Sequence, residues 1–250
     1  MHRFYLPPEA CQGPTLTLRE REAHHAAQVL RLRAGERAVV LDGAGHEFLC
    51  EVTAVTRQAV ALAVRQTQTL PRLPYEFTLI QAVTKAKSME MIVRKATELG
   101  AAGLVPILSE RSVPHFPAAQ AEEKVAKWQV VALEAIKQCG TTWLMRIEPP
   151  RTPQAFLAQP HRFDLVLLAS LQPGSRHPRA RLADYLAEHP RPPAKVAVWV
   201  GPEGDFTPAE LAAIQAAGAF PISLGPLILR SETAALYCLA VLGYELQARP

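Results

Sequence analysis

Two stretches of the 250-residue chain set ionisable and hydroxylated side chains where an apolar run breaks off. In "VWVGPEGDFTPAELAAI" (198–214) the apolar run stops at Gly201-Pro202, and Glu203, Gly204 and Asp205 follow as a compact turn. Glycines there let a ligand approach the backbone closely. Thr207-Pro208-Ala209-Glu210 then has capping-box spacing, with proline at the first helical position. A plain structural turn would account for this much. Glu203 at the carboxyl end of a buried strand is what points to a ligand site. In "LGPLILRSETA" (224–234), Arg230, Ser231, Glu232 and Thr233 interrupt a second apolar run. Ser231 is expected to cap a helix whose first turn holds Glu232 and Thr233. A carboxylate is stabilised there by the helix dipole, so Glu232 is explained equally well by capping or by chemistry. Arg230 is not. A cation at a helix N-terminus is unfavourable unless an anion balances it, either Glu232 or a bound ligand.

The elements around these corners determine what they can do. From Phe77 onward, apolar strand-like runs alternate with helical patterns: "FTLIQAV" (77–83), "GLVPIL" (103–108), "DLVLLAS" (164–170), "KVAVWV" (195–200) and "FPISLG" (220–225). Between them, Ser88 is the expected N-cap of a helix whose Met89, Ile92, Val93, Ala96 and Leu99 share one face, with Gly100 at its stop. Further helices are predicted over 122–138, 179–189 and 208–218. Continuous apolar strands are typical of parallel sheets covered on both faces, and ligands of such α/β folds bind at the strands' carboxyl ends. "QPGSRHPRAR" reads as an exposed loop. Residues 1–70 differ in pattern. Short β-branched runs at 37–43, 46–55 and 59–66, with turn signals at Asp42-Gly43 and Gly45, predict a small barrel carrying one helix over Glu20–Arg31. The prolines of "TLPRLPYE" mark the boundary, giving domains 1–70 and 74–250.

Composition narrows the class of function. With 49% hydrophobic residues the chain can bury a core, and it is not disordered. The run after Thr233 is about half the ~20 residues a membrane-spanning helix needs. Neither G-x-G-x-x-G nor G-K-[ST] occurs, so a dinucleotide-binding fingerprint and a P-loop are both missing. Cys11, Cys50, Cys139 and Cys238 are isolated in sequence and "MHRFYLPPEA" leads into no secretory signal, so a reducing, cytoplasmic setting is expected. His24-His25 has no partner at ligand spacing, so no metal is expected. The formal net charge is only +4, yet "REREAHHAAQVLRLRAGER" and "TKAKSMEMIVRKA" concentrate basic residues. Such clusters suit a polyanion, although Glu20, Glu22 and Glu36 also fit a solvated helix face. Trp128, Trp143 and Trp199 are expected in the core, and Tyr237 and Cys238 are read as packing.

Taken together, "GPEGDFTPAE" and "LGPLILRSETA", preceded by "HHAAQVLRLRAGE" and "KATELGAAGLVPILSERS", resemble the signature of SPOUT-class RNA methyltransferases. More narrowly, the chain is similar to the bacterial 16S rRNA (uracil-N3) methyltransferase family, the RsmE type. It departs from many relatives at Leu227, where they carry arginine, and at Thr141-Thr142. The resemblance implies an N-terminal PUA-like β-barrel followed by an α/β methyltransferase domain with a C-terminal trefoil knot. It also implies S-adenosylmethionine as cofactor, a homodimer built on the apolar last helix, and 16S rRNA of the small ribosomal subunit as substrate. Under it, Val200, Gly201, Glu203, Gly204, Leu224, Gly225, Leu229, Ser231 and Thr233 bind the cofactor, while Arg230 and Glu232 act at the transferred methyl. Arg3, His25, Arg31, Arg33, Lys85, Lys95 and Arg111 are the candidate RNA contacts. Two rival readings are a related methyltransferase acting on tRNA or 23S rRNA, and a non-catalytic PUA-type RNA-binding protein.

Overall fold

The computed structural model describes residues 1–112 and 118–247 and divides into two compact units: Met1–Arg72 with Leu133–Leu144, and Leu73–Ala132 with Met145–Pro250. The first unit contains strands β1 (His2–Tyr5), β2 (Thr15–Arg19), β3 (Arg37–Leu41), β4 (His46–Val55) and β5 (Ala59–Thr69). They form one sheet ordered β1-β3-β4-β5-β2, parallel between β1 and β3 and antiparallel elsewhere. Residues pointing to one side, among them Phe4, Leu16, Leu18, Val40, Cys50, Val52, Val60 and Leu62, make its core. The helix expected over Glu20–Arg31 is shorter and uneven. Helix α1 (Glu20–His24) passes into a π turn at His25–Val29, where Leu30 N–H bonds to the His25 carbonyl. Glu20 and Arg31 hold positive φ at either end, so neither can continue the helix.

Residues 133–144 belong to this unit through long-range contacts that local pattern does not encode. Buried Lys137 is 2.7 Å from Glu22 and 2.9 Å from Glu134. The Gly45 N–H bonds to the Thr142 carbonyl, and Trp143 Nε1 donates to the Leu70 carbonyl. Trp143 is therefore half-buried and hydrogen-bonded rather than enclosed in the core.

In the second unit, strands β6 (Glu76–Ala82), β7 (Gly103–Ile107), β8 (Arg146–Ile147), β9 (Leu165–Ala169), β10 (Lys195–Val200) and β11 (Phe220–Ile222) form a wholly parallel sheet, ordered β11-β9-β10-β6-β7-β8. Helices α2 (Ala86–Glu98), α3 (Ala121–Cys139, whose end from Leu133 belongs with the first unit), α4 (Pro153–Leu157), α5 (Pro178–Glu188), α6 (Pro208–Ala216) and α7 (Ser231–Gln247) complete the chain. Along β6, Ile80 and Ala82 enter a core with Trp199, Phe206, Leu211 and Ile214. By the alternation of a strand, Phe77, Leu79 and Gln81 face the other way. Helix α2 buries Met89, Ile92, Val93 and Ala96 as its spacing predicts. Its start differs from expectation. Lys85 occupies the cap without a side-chain bond, because the helix begins before Ser88. Leu99 ends that helix half out of the core, and Gly100 follows at φ +78°. Among the described residues, no helix is long and apolar enough to cross a membrane.

Candidate cofactor and methyl-transfer site

Three loops leave the carboxyl ends of the adjacent strands β9, β10 and β11 and enclose one cavity of about 470 Å³. Its walls are residues 169–175, then Val200–Glu203 with Asp205, then residues 223–229 with Ser231 and Ala234. This is where an open parallel sheet is expected to hold a ligand, and the volume falls in the range of small-molecule sites.

The β10 loop is shaped by packing and by its helix cap. A Cβ on Gly201 would lie 3.1 Å from Asp205 Oδ1 and 3.3 Å from the Phe206 ring, so only glycine fits without displacement. Asp205 takes φ +59° and accepts the Phe206 N–H. Thr207 and Glu210 form the expected capping box, with Pro208 in the first turn. Fully buried Glu210 does more than cap. Its carboxylate also accepts from Ser109 Oγ and from Glu110 N–H, both at 3.0 Å. It thereby ties the loop after β7 to the start of α6.

The last loop runs from β11 into α7. The Ala234 N–H bonds to the Arg230 carbonyl, so Arg230 stands at the cap and Ser231 is the first helical residue. The expectation that Ser231 caps this helix is thus corrected. Its hydroxyl donates instead to the Gly201 carbonyl at 2.6 Å and accepts from Gln81 Nε2 at 2.8 Å. The loop's own backbone is left available. The N–H groups of Leu227, Ile228 and Leu229 have no partner among the described residues. Leu227 and Ile228 are 72% and 81% exposed at the rim, an apolar surface beside free donors.

Of the sequence-derived cofactor candidates, Val200, Gly201, Glu203, Leu224, Gly225, Leu229 and Ser231 line the cavity. Gly204 and Thr233 do not. The Gly204 carbonyl instead accepts from Arg111 Nη1 at 2.9 Å, and Thr233 lies exposed on α7. The start of "QPGSRHPRAR", read as an exposed loop, proves to be a wall: Gln172–Ser175 line the cavity together with Ala169–Leu171. The signal was available, because it leaves the carboxyl end of a buried strand just as the other two loops do. Arg230 is exposed and Glu232 half-buried, and neither makes an ion pair or side-chain hydrogen bond among the described residues. Among the described residues Arg230 is therefore an unpaired cation beside the cavity and not one half of a brace with Glu232.

The basic candidates are separated by their partners. In the first unit, Arg3 is half-buried and donates to the Gln138 carbonyl, and His25 packs edge-on against Phe4. Arg31 and Arg33 are exposed. In the second unit, Lys85 is exposed, Lys95 pairs with Glu98 at 2.7 Å, and Arg111 lies on the Gly204 carbonyl.

Comparison with known proteins agrees with this architecture. Residues 71–243 match the family model of an RNA methyltransferase domain, and residues 18–64 match that of an RNA methyltransferase PUA domain. The ribosomal RNA small subunit methyltransferase E of Aquifex aeolicus is 31% identical over 97% of this chain and 99% of its own length. A methyltransferase of Legionella pneumophila, solved with its bound cofactor SAM, superposes with a TM-score of 0.87 at 30% identity, covering 97% of both chains. The ribosomal RNA small subunit methyltransferase E of Neisseria gonorrhoeae, bound to S-adenosyl methionine, gives 0.84 at 27% identity over 98% of both. An α/β sheet with a cavity at its carboxyl edge, a PUA-like unit before it, and relatives matched from end to end lead to one conclusion: the chain belongs to the RNA methyltransferases of the ribosomal RNA small subunit methyltransferase E family.

Proposed function

We propose that this protein transfers the methyl group of S-adenosylmethionine to N3 of a uridine in 16S rRNA of the small ribosomal subunit, in the cytoplasm. The observation that carries the reading is the cavity at the ends of β9, β10 and β11, with backbone donors at Leu227–Leu229 that have no partner among the described residues, beside exposed apolar side chains. Such a surface suits a flat heteroaromatic ring, whose edge takes backbone hydrogen bonds and whose faces bury against aliphatic groups. Bound there, the cofactor supplies an electrophilic methyl on a sulfonium. The chain's contribution is to hold the uracil nitrogen in line with that methyl and to manage the charge that develops. As the N3 proton leaves, negative charge spreads onto the uracil oxygens. Arg230, with no partner among the described residues, stabilises that charge, and Glu232 accepts the proton directly or through water. Exposed Arg31, Arg33 and Lys85 contact phosphates, which position the RNA without reading its sequence.

Two further features belong to this reading. The chain from β11 at the sheet edge returns to α7, which packs against α2, β6 and β10, a path that supports a trefoil knot in the C-terminal segment. Helix α7 also leaves Thr233, Tyr237, Ala240 and Tyr244 exposed along one stripe, with Tyr244 70% exposed. This apolar face supports a homodimer, and a monomer at micromolar concentration in sedimentation would end that part of the proposal. The activity itself is tested by incubating the protein with labelled cofactor and small ribosomal subunits from a deletion strain, then analysing the nucleosides. Appearance of 3-methyluridine in 16S rRNA is expected. Label in another base, in tRNA or in 23S rRNA overturns the assignment.

A further inference from the structure

The apolar face of β6 contains one polar residue to which the proposed chemistry gives no role. Gln81 is fully buried, paired in register with Val200 of β10 and adjacent to Ser231 of α7. An amide in such a place is costly unless its groups are bonded, and here Oε1 has no partner among the described residues while Nε2 makes two bonds, so its arrangement is informative. Nε2 donates to the Ala82 carbonyl at 2.9 Å and to Ser231 Oγ at 2.8 Å. Ser231 Oγ continues the chain to the Gly201 carbonyl at 2.6 Å.

The two ends of this relay fix its direction. A carbonyl only accepts, so the group facing Ala82 must be the amide nitrogen and the flipped amide is excluded. Its second hydrogen then points at Ser231 Oγ, which must accept it. The Gly201 carbonyl also only accepts, so the serine proton is committed to it. Ser231 lines the cavity with one lone pair and no proton to give.

We propose that Gln81 is a positioning residue that makes Ser231 an acceptor-only contact in the cofactor cavity, selecting a hydrogen-bond donor of the ligand there — an amino, ammonium or ribose hydroxyl group — and refusing a carboxylate. The inference rests on the cavity's being the S-adenosylmethionine site. It also accounts for how the loops after β10 and β11 are locked together: Gly201 belongs to one, Ser231 ends the other, and the strand beneath supplies the amide.

The test is calorimetric titration of S-adenosylhomocysteine into wild type, Gln81→Leu, Ser231→Ala and the double variant, with steady-state kinetics on small subunits. Gln81→Leu is expected to weaken affinity about tenfold, the factor of one hydrogen bond's ~1.4 kcal/mol. Ser231→Ala is expected to do the same, and the double variant should bind no more weakly than Ser231→Ala alone. The KM for the methyl donor should rise by the same factor while kcat and the KM for RNA stay within about twofold. Additive losses, near a hundredfold in the double variant, or a fall in kcat with KM unchanged, would overturn the proposal. If Gln81→Leu does not fold, Gln81→Met, with an unbranched chain of similar volume, carries the same comparison. A wild type that binds no S-adenosylhomocysteine refutes the reading of the cavity itself and is distinct from additivity in proteins that do bind.

Discussion

Removing the Glu210 carboxylate is the most direct probe of what holds the site together. The side chain is fully buried, and its oxygens accept three hydrogen bonds: Thr207 N–H at 2.9 Å, with Ser109 Oγ and Glu110 N–H at 3.0 Å. All three donors are neutral, and no cation pairs with the carboxylate among the described residues. Hydrogen bonds to a charged group contribute about 1.5–3 kcal/mol each, which for three gives an upper range of ~4.5–9 kcal/mol before water enters the space. Solvent can reach the Glu110 and Thr207 ends, so we expect Glu210→Ala to cost about 4 kcal/mol. At roughly 2–4 °C per kcal/mol for a chain of this size, the Tm should fall by about 8–16 °C. Glu210→Gln keeps one oxygen, which can serve Ser109 and Thr207 while its amide faces Glu110 N–H, and should cost about half as much. Glu203→Gln, an exposed carboxylate two residues after Gly201, is the control and should stay within about 0.5 kcal/mol. Scanning calorimetry at neutral pH measures all three. A Glu210→Ala Tm within ~3 °C of wild type would show that the loop after β7 is anchored by something other than this carboxylate.

Other perturbations separate the roles assigned above. Arg230→Ala and Arg230→Lys should both slow single-turnover methyl transfer by about two to three orders of magnitude, the loss of ~2.7–4 kcal/mol of barrier stabilisation. Cofactor affinity should be nearly constant in both, because the side chain does not line the cavity; a lost affinity would make Arg230 part of the pocket. Gly201→Val should weaken cofactor binding by more than about tenfold, since even its Cβ would be forced against Asp205 and Phe206. Gly204→Ala, whose Cβ would meet only Arg111 at 3.7 Å, should change affinity less than about twofold, and the reverse ranking in titrations would refute the geometry. Burial pushes the Cys50 thiol up to about 11 and that of Cys238 to about 12, from 9.0. In the unfolded chain these thiols ionise first, so stability should be full below pH 9.0 and decline between there and the folded values. Cys238→Ala should flatten that decline in denaturant titrations, and an unchanged slope would count against it.

Much of the second unit was legible because its elements are long and uniform. A strand buried on both faces reads as a continuous apolar run, and the bounds 195–200 for β10 were read to the residue. The capping box at Thr207 and Glu210 was equally visible, since both of its bonds are local. What was missed is short or non-local. "HRFY" and "TLTLR" are too brief to show a period, and β1 is defined by parallel pairing with β3 more than thirty residues on. Nothing in "LEAIKQCGTTWL" announces that it packs with the N-terminal unit, because the Lys137–Glu22 pair spans 115 positions. Ser231 misled for a related reason. Serine before an apolar helix is a capping signal, but the competing acceptor and donor, Gly201 and Gln81, lie 30 and 150 residues away.

That displacement also explains why Arg230, Ser231, Glu232 and Thr233 occur as consecutive residues. Successive side chains of a helix diverge by about 100°, so neighbours in the first turn must face different surroundings. Ser231 turns inward and is buried, joined to the Gly201 carbonyl and to the amide under the sheet. Thr233 turns outward onto the exposed stripe that continues through Tyr237, Ala240 and Tyr244. Arg230 precedes the helix, which frees its side chain from that geometry and leaves it in solvent at the cavity's edge. Ordinarily a cation at this cap would oppose the helix dipole. No carboxylate among the described residues is paired to it, and under the proposed function the balancing anion is the substrate's. In the proposed reaction, a uracil losing its N3 proton is such an anion, and it exists only while the methyl is being transferred. On that proposal, the unfavourable resting position of Arg230 is the reason it can act, because the stabilisation it gives is withheld from the ground state and released at the barrier.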